Sequence, residues 1–222
     1  WGTALLDKYK SSLEKNPDKW DYLEDAGQGR STQYMAAGGV THRYFFNENT
    51  LLKTTLAGTY SDQEAIQTTY DREFNNIDQN SRSTNLILTS SLNRKVNNRF
   101  TNKTGLTFTQ MFYNMNLELA PFIDQPLETI SKGDGNTSLI SAYNSSAWGI
   151  NDKLSLNFGL HGQLLTLNNR WTLEPRASLK WQTNTRTSFA LAYGMYSRME
   201  KMDVYFVKTQ STGDRSVNKN LD

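Results

Sequence analysis

The sequence predicts an all-β chain, an antiparallel up-and-down meander of about eight long strands. Three observations predict it. Apolar residues recur at every second position, as in LSLNFGLHGQLL at 154–165, where Leu154, Leu156, Phe158, Leu160 and Leu164 alternate with Ser155, Asn157, Gly159, His161 and Gln163. Asn- and Asp-rich turn signals separate such runs and read as successive hairpins. Several runs keep their alternation for ten or so residues, where strands of globular proteins average about 5–6.

The first 30 residues differ from the rest. Leu5, Tyr9 and Leu13 stand four apart with charged residues between them, which predicts a short amphipathic helix ended by Asn16-Pro17. Residues 1–30 are therefore read as a loop or connector with a short helix, and 31–222 as the sheet. In the first run Tyr34, Ala36, Gly38, Val40 and His42 alternate with Gln33, Met35, Thr41 and Arg43. After Asn47-Glu48-Asn49 come Leu52, Thr54, Leu56, Gly58 and Tyr60. Leu86, Leu88 and Leu92 mark the third run, Asn97-Asn98 a turn, and Phe100, Thr104, Leu106, Phe108 and Phe112 the fourth. Residues 137–150 form a fifth, closed by Asn151-Asp152, and 154–165 the sixth. In the seventh, Trp171, Leu173, Pro175, Ala177, Leu179 and Trp181 alternate with Thr172, Glu174, Arg176, Ser178 and Lys180. Pro175 has no N–H for a ladder and predicts a local bulge. Asn184 marks the next turn, and Phe189, Leu191, Tyr193 and Met195 make the eighth run.

Connections near 45–50, 94–99, 150–153 and 182–186 are short. Those near 71–82 and 115–137 are long and polar, as is the chain after 200. Short turns on one side and long loops on the other is the asymmetry of outer-membrane barrels, and only the short connection at 166–170 breaks it. The seventh run supplies a ruler. Trp171 and Trp181 stand ten residues apart on one face, about 33 Å along a strand. At a tilt of roughly 40° that projects to about 25 Å, the height of a barrel's apolar band. On this reading Trp171, Trp181 and Tyr193 belong to an aromatic girdle, and Asn157, His161, Gln163, Glu174, Arg176 and Lys180 face a wet lumen.

Composition agrees. Of 222 residues 36% are hydrophobic, and no stretch approaches the ~20 apolar residues of a membrane-spanning helix. Lys and Arg number 24 against 22 Asp and Glu, and their scatter leaves no basic stripe for nucleic acid. The absence of cysteine removes disulfides, thiolate metal sites and cysteine nucleophiles. No charged segment followed by an apolar core opens the chain, so no secretory signal is visible.

Enzyme chemistry finds no foothold. His42 and His161 are the only histidines and lack metal-ligand spacing; His161 reads as a solvated lining residue and His42 as an outward residue near a strand end. Glu174 and Arg176 read as an ion pair, since no second carboxylate or serine–histidine set accompanies them. Gly133-Asp134-Gly135-Asn136 lacks the acidic spacing of a calcium loop and reads as a plain turn. No metal or other cofactor is expected. Phe122, Ile123 and Leu127 make the second long loop unusually apolar and are candidates for facing a ligand.

Residues 154–207 resemble the barrel of TonB-dependent outer-membrane receptors, most closely the branch with a carboxypeptidase-regulatory-like domain before its plug. The resemblance is carried by Gly159-Leu160-His161, Leu167-Asn168-Asn169, Glu174-Pro175-Arg176, and Gly194-Met195-Tyr196-Ser197-Arg198 leading to Val204-Tyr205-Phe206. It implies a large transmembrane barrel of about 22 strands, filled by a plug, that imports a metal chelate, vitamin, glycan or peptide across the cell outer membrane. As partners it implies outer-membrane lipid, the remainder of the barrel and its plug, TonB reached through that plug, and a surface lipoprotein. No plug or TonB-contacting segment is recognisable, so the chain is read as an internal barrel fragment. The rival readings are a complete small barrel acting as anchor or adhesin, and a soluble sugar-binding β-sandwich.

Overall fold

The computed structural model describes residues 1–12, 14, 16–19, 21, 27–69, 75–121, 125–209, 213 and 217–220. They form one antiparallel sheet of nine strands in sequential order. The strands are β1 (Gly2–Ser11), β2 (Gly27–Asn47), β3 (Thr50–Thr69), β4 (Asn75–Lys95), β5 (Phe100–Leu119), β6 (Glu128–Gly149), β7 (Leu154–Leu165), β8 (Arg170–Gln182) and β9 (Ser188–Gly194). The sheet is an up-and-down meander, as the sequence predicts, and it is open, with β1 and β9 at its two edges.

The ninth strand is β1, where the sequence predicts a helix. Over its described part the helix is replaced by ten ladder pairs from Gly2↔Gly38 to Ser11↔Gly29. The reason is arithmetic. A spacing of four puts Leu5 and Tyr9 on one face of a helix, but four is also even, so it puts them on one face of a strand. Pairing with β2 then decides.

Strands β2 to β6 run 20–22 residues, about 65–70 Å, roughly twice what crosses a bilayer core. The long loops expected at 71–82 and 115–137 are therefore mostly strand. Among the described residues of these stretches, only 120, 121 and 125–127 fall outside strand. Above Tyr60 on β3 and Leu86 on β4 both faces are mostly polar, so alternation fades from the sequence while the backbone ladder continues, and on β5 it changes sides above Phe112, with Tyr113, Met115 and Leu117 on the opposite face. The same extension overturns the turn at Gly133–Asn136, which lies inside β6 opposite Phe112–Met115. Its glycines make room for rings: a Cβ on Gly133 would lie 2.7 Å from Phe206, and Gly135 has a φ of 147°.

Pro175 makes no bulge, because the β7–β8 register runs through Leu160↔Pro175 without a shift. Its carbonyl accepts from Met195 N (3.0 Å) on the β9 side. In an antiparallel ladder the same residue would return a donor to that neighbour. Pro175 has none, and β9 ends one residue earlier, at Gly194.

One face of the sheet is an apolar belt, and pairing shows how it lies. The row through Trp171 reads Leu164, Ile140, Phe108, Leu88, Leu56 and Val40 on the six strands before it. Trp171 is the upper end of the belt on β8, whereas on β2 the belt continues past Val40 to Tyr34. The row through Tyr34 meets Asp62, Arg82, Asn114 and Asp134. The upper limit thus drops six residues, Tyr34 to Val40, over the six strands from β2 to β8. One residue per strand, about 3.3 Å against a strand spacing of about 4.8 Å, is a slope of about 35°. Among the described residues nothing covers this face; Val40 is 75% exposed and Trp171 70%.

The opposite face is polar along its lower half, with a small core above. Gly105 on this face carries the ring of its cross-strand neighbour Tyr143, which occupies the space where a Cβ would stand. Gly105→Val should therefore displace Tyr143 and destabilise the fold by about 1–3 kcal/mol. Urea unfolding in detergent micelles would measure it; an unchanged midpoint would show that the ring is free to move.

Candidate functional site

The polar face of β7 and β8 carries the most heavily bonded side-chain cluster among the described residues. Glu174 pairs with His161 in the ladder, and Gln163 and Arg176 flank that pair on the same face. Glu174 is 2% exposed. Its Oε2 accepts from Arg176 and lies 3.1 Å from His161 Nδ1, which donates when that nitrogen carries the proton. Its Oε1 accepts from Gln163 Nε2 (3.1 Å), from Ser197 N (3.2 Å) and from Ser197 Oγ. A carboxylate out of water needs its lone pairs satisfied, and five contacts do so here.

Ser197 is the unexpected member. It follows the strand that Pro175 ends, so the chain leaves β9 and turns back over the polar face. Tyr196 stacks on the Arg176 guanidinium, 4.4 Å from the ring centroid. Further on, the 3₁₀ turn Met202–Phe206 buries Tyr205 and Phe206 against Met111, Met115 and Leu165, with Tyr113, Leu139 and Leu167 beside them. Ser131, 1% exposed, donates to Asp203 O (3.1 Å), and Val207 bridges to Ser131. Residues 195–209 therefore form a strap, tied at one end to Glu174 and at the other to β6.

The strap also explains the short connection at 166–169. Because β7 and β8 stop there, β6 above Leu139 has no strand on its β7 side. Val207, and Lys208 N donating to Ile130 O (2.7 Å), cover part of that edge, which would otherwise offer unpaired backbone groups. Beneath the strap lies a cavity of about 250 Å³, with Leu139, Leu165, Met199 and Tyr205 as apolar wall and Gln163 and Thr172 as polar wall.

The other sequence candidates are placed as follows. Asn157 donates to Ser178 Oγ (3.2 Å), and Lys180 is exposed on the same polar face. Trp171, Trp181 and Tyr193 all lie on the belt face and are exposed; Trp181 contacts Phe189 at 6.2 Å between centroids. His42 shares that face, paired with Thr54. Leu127 is half-buried beside the start of β6, while Phe122 and Ile123 lie outside the described residues. Glu174 and Arg176 could be paired from their spacing, but Ser197 could not. Only the position of Pro175, as a strand stop before a Tyr-Ser, could have signalled it.

Glu174→Gln would keep the shape and turn one carboxylate oxygen into an NH2 facing donors. The strap should loosen by about 1–3 kcal/mol, so trypsin should cut at Arg198 and Lys201 roughly ten-fold faster or more. Unchanged cleavage would mean that Tyr205 and Phe206 alone hold the segment. Comparison of the sequence with protein-family models and with curated proteins finds no match in either.

Proposed function

We propose that this chain is a wall segment of a plug-gated outer-membrane receptor barrel of the TonB-dependent type, taking up a nutrient across the outer membrane. The observation that carries the membrane part is the oblique, uncovered belt. A slope of one residue per strand corresponds to the tilt of strands in transmembrane barrels, about 35–45°, and an apolar face of this extent calls for a non-aqueous partner. A sandwich would need a second sheet against the belt, and the described residues form one sheet. Among the described residues the sheet has two unpaired edges and an odd number of strands, which favours a segment of a larger wall over a self-contained small barrel.

The receptor part rests on the resemblance of 154–207 and on the polar face. In a barrel that face lines the lumen, and the strap lies on it. TonB contact and the energy for uptake belong to a plug outside these residues, and a surface lipoprotein belongs to the same reading. The imported ligand is a metal chelate, vitamin, glycan or peptide.

The test uses two neighbours on β3 that point opposite ways. Leu56→Arg puts a guanidinium into hydrocarbon and should cost roughly 2–4 kcal/mol near the midplane. Thr55→Arg faces water and should fold almost normally. Folded yield and heat-modifiable gel mobility of the full-length protein in outer membranes would read the difference. Equal tolerance at the two positions would remove lipid from the account.

A further inference from the structure

On the polar face, near the short turns, β2 to β5 carry a surface of one sign. Arg43, Lys53, Lys95 and Lys103 all point to this face, one from each strand. They span three strand spacings and about four residues of height, a patch of about 14 by 13 Å. Arg43 and Lys53 are direct ladder partners, and Lys95 lies diagonal to Lys103. At and below the level of Arg43, these four strands place no carboxylate on this face. Glu48, in the β2–β3 turn, lines a cavity of about 340 Å³ together with Lys95 and Lys103, but pairs with neither among the described residues.

All four cations are exposed, and none forms an ion pair among the described residues. Lys103 stands over the Tyr143 ring, 5.6 Å from its centroid, and no anion joins it there. Like charges directly opposite one another destabilise a ladder. The Arg43–Lys53 pair therefore works against the sheet unless something resident neutralises it. Within the patch the polar face also turns apolar. Phe45, 65% exposed, pairs with Leu51 in the row just below Arg43 and Lys53. An exposed ring surrounded by charge is the layout of a protein–protein contact, an apolar anchor inside a polar rim.

Two features choose the partner. A small anion passing through would neutralise the patch only while bound, and it has no use for Phe45. A resident acidic polypeptide surface meets both needs, with carboxylates for the four cations and an apolar side chain for the ring. In the barrel read above, this face lines the lumen and the plug fills it. We propose that these residues dock an acidic face of the plug, with Phe45 and Leu51 as the apolar anchor of the contact. The proposal rests on the receptor reading and adds the chemistry of the partner, negative on the plug and positive on the wall.

Carbodiimide cross-linking of the full-length protein in outer membranes tests it, because the reagent condenses an amine with a carboxylate only where the two already meet. Mass spectrometry should find Lys53, Lys95 or Lys103 joined to Asp or Glu of the plug. Lys53→Gln combined with Lys103→Gln should keep the heat-modifiable mobility of a folded barrel, yet trypsin should cut the plug about ten-fold faster. Plug cleavage at the wild-type rate would overturn the proposal. So would lysines that form no such link and are freely acetylated by acetic anhydride. Protection of those lysines by added tripolyphosphate would make the patch a site for a soluble anion, and that too would overturn it. A folded barrel without the cross-links sinks this inference alone. A protein that fails to insert sinks the receptor reading with it.

Discussion

The backbone ladder is the constraint on which everything else in this structure depends. Nine strands in sequential order pair every inner strand on both sides, and β3, β4, β5 and β7 along nearly their whole length. Pairing fixes which side chains share a row, and alternation fixes which share a face. A one-residue slip anywhere would carry belt residues such as Leu56 and Leu88 to the polar face. The belt is continuous only because seven strands keep one register from Val40 to Trp171. Its obliqueness is a second consequence. The rows run perpendicular to the strands while the belt descends across them, by an average of about 35° between β2 and β8. A sheet whose apolar face merely packed on a flat neighbour has no need of that offset.

What was legible in the sequence follows from where the two faces differ in chemistry. In β7 and β8 one face is apolar and the other polar for a dozen residues, and strand limits and facing could be read directly. On β5 the apolar residues change to the other face at Tyr113, Met115 and Leu117, and in the upper halves of β3 and β4 both faces are mostly polar. There the ladder persists through Ser61–Gln67 and Asp78–Ser83 without any apolar period to announce it, and strands pass for loops. Gly133 and Gly135 misled for a related reason. Glycine next to aspartate signals a turn when only the chain is considered, but here each glycine yields its space to a ring, of Phe206 and of Tyr113, arriving from elsewhere. The spacing of Leu5 and Tyr9 misled because four is shared by both periods. Where local pattern is ambiguous, the partner strand decides, and a sequence does not display its partners.

The Glu174 cluster shows the same division. Three of its donors come from β7 and β8 and are implied by alternation plus a hairpin: His161 opposite, Gln163 diagonal, and Arg176 two residues along the same strand. Ser197 comes from chain that has left the sheet. Its arrival depends on β9 ending at Gly194, which depends in turn on Pro175, the β8 residue next to Gly194's partner Arg176. Burial of Glu174 to 2% exposure follows from that arrival, since the strap covers the carboxylate that holds it.

Pro175, Ser197 and Val207 are therefore steps of one device. The short β7–β8 hairpin leaves the upper part of β6 without a neighbour, and an unpaired edge costs specificity because any extended chain can add to it. Extending β7 and β8 would have closed the gap but would also have raised the wall at that point. Instead the chain after β9 is released by a missing N–H, caught by a buried carboxylate, packed by two aromatic rings, and returned to β6 as a single bridge. The wall stays low beside β7 and β8, and the polar face gains an ordered covering there. The strap and the cavity of about 510 Å³ across β4, β5 and β6 consequently lie on opposite faces of the same upper region, meeting at Gly133, which lines that cavity while Phe206 rests against its other side.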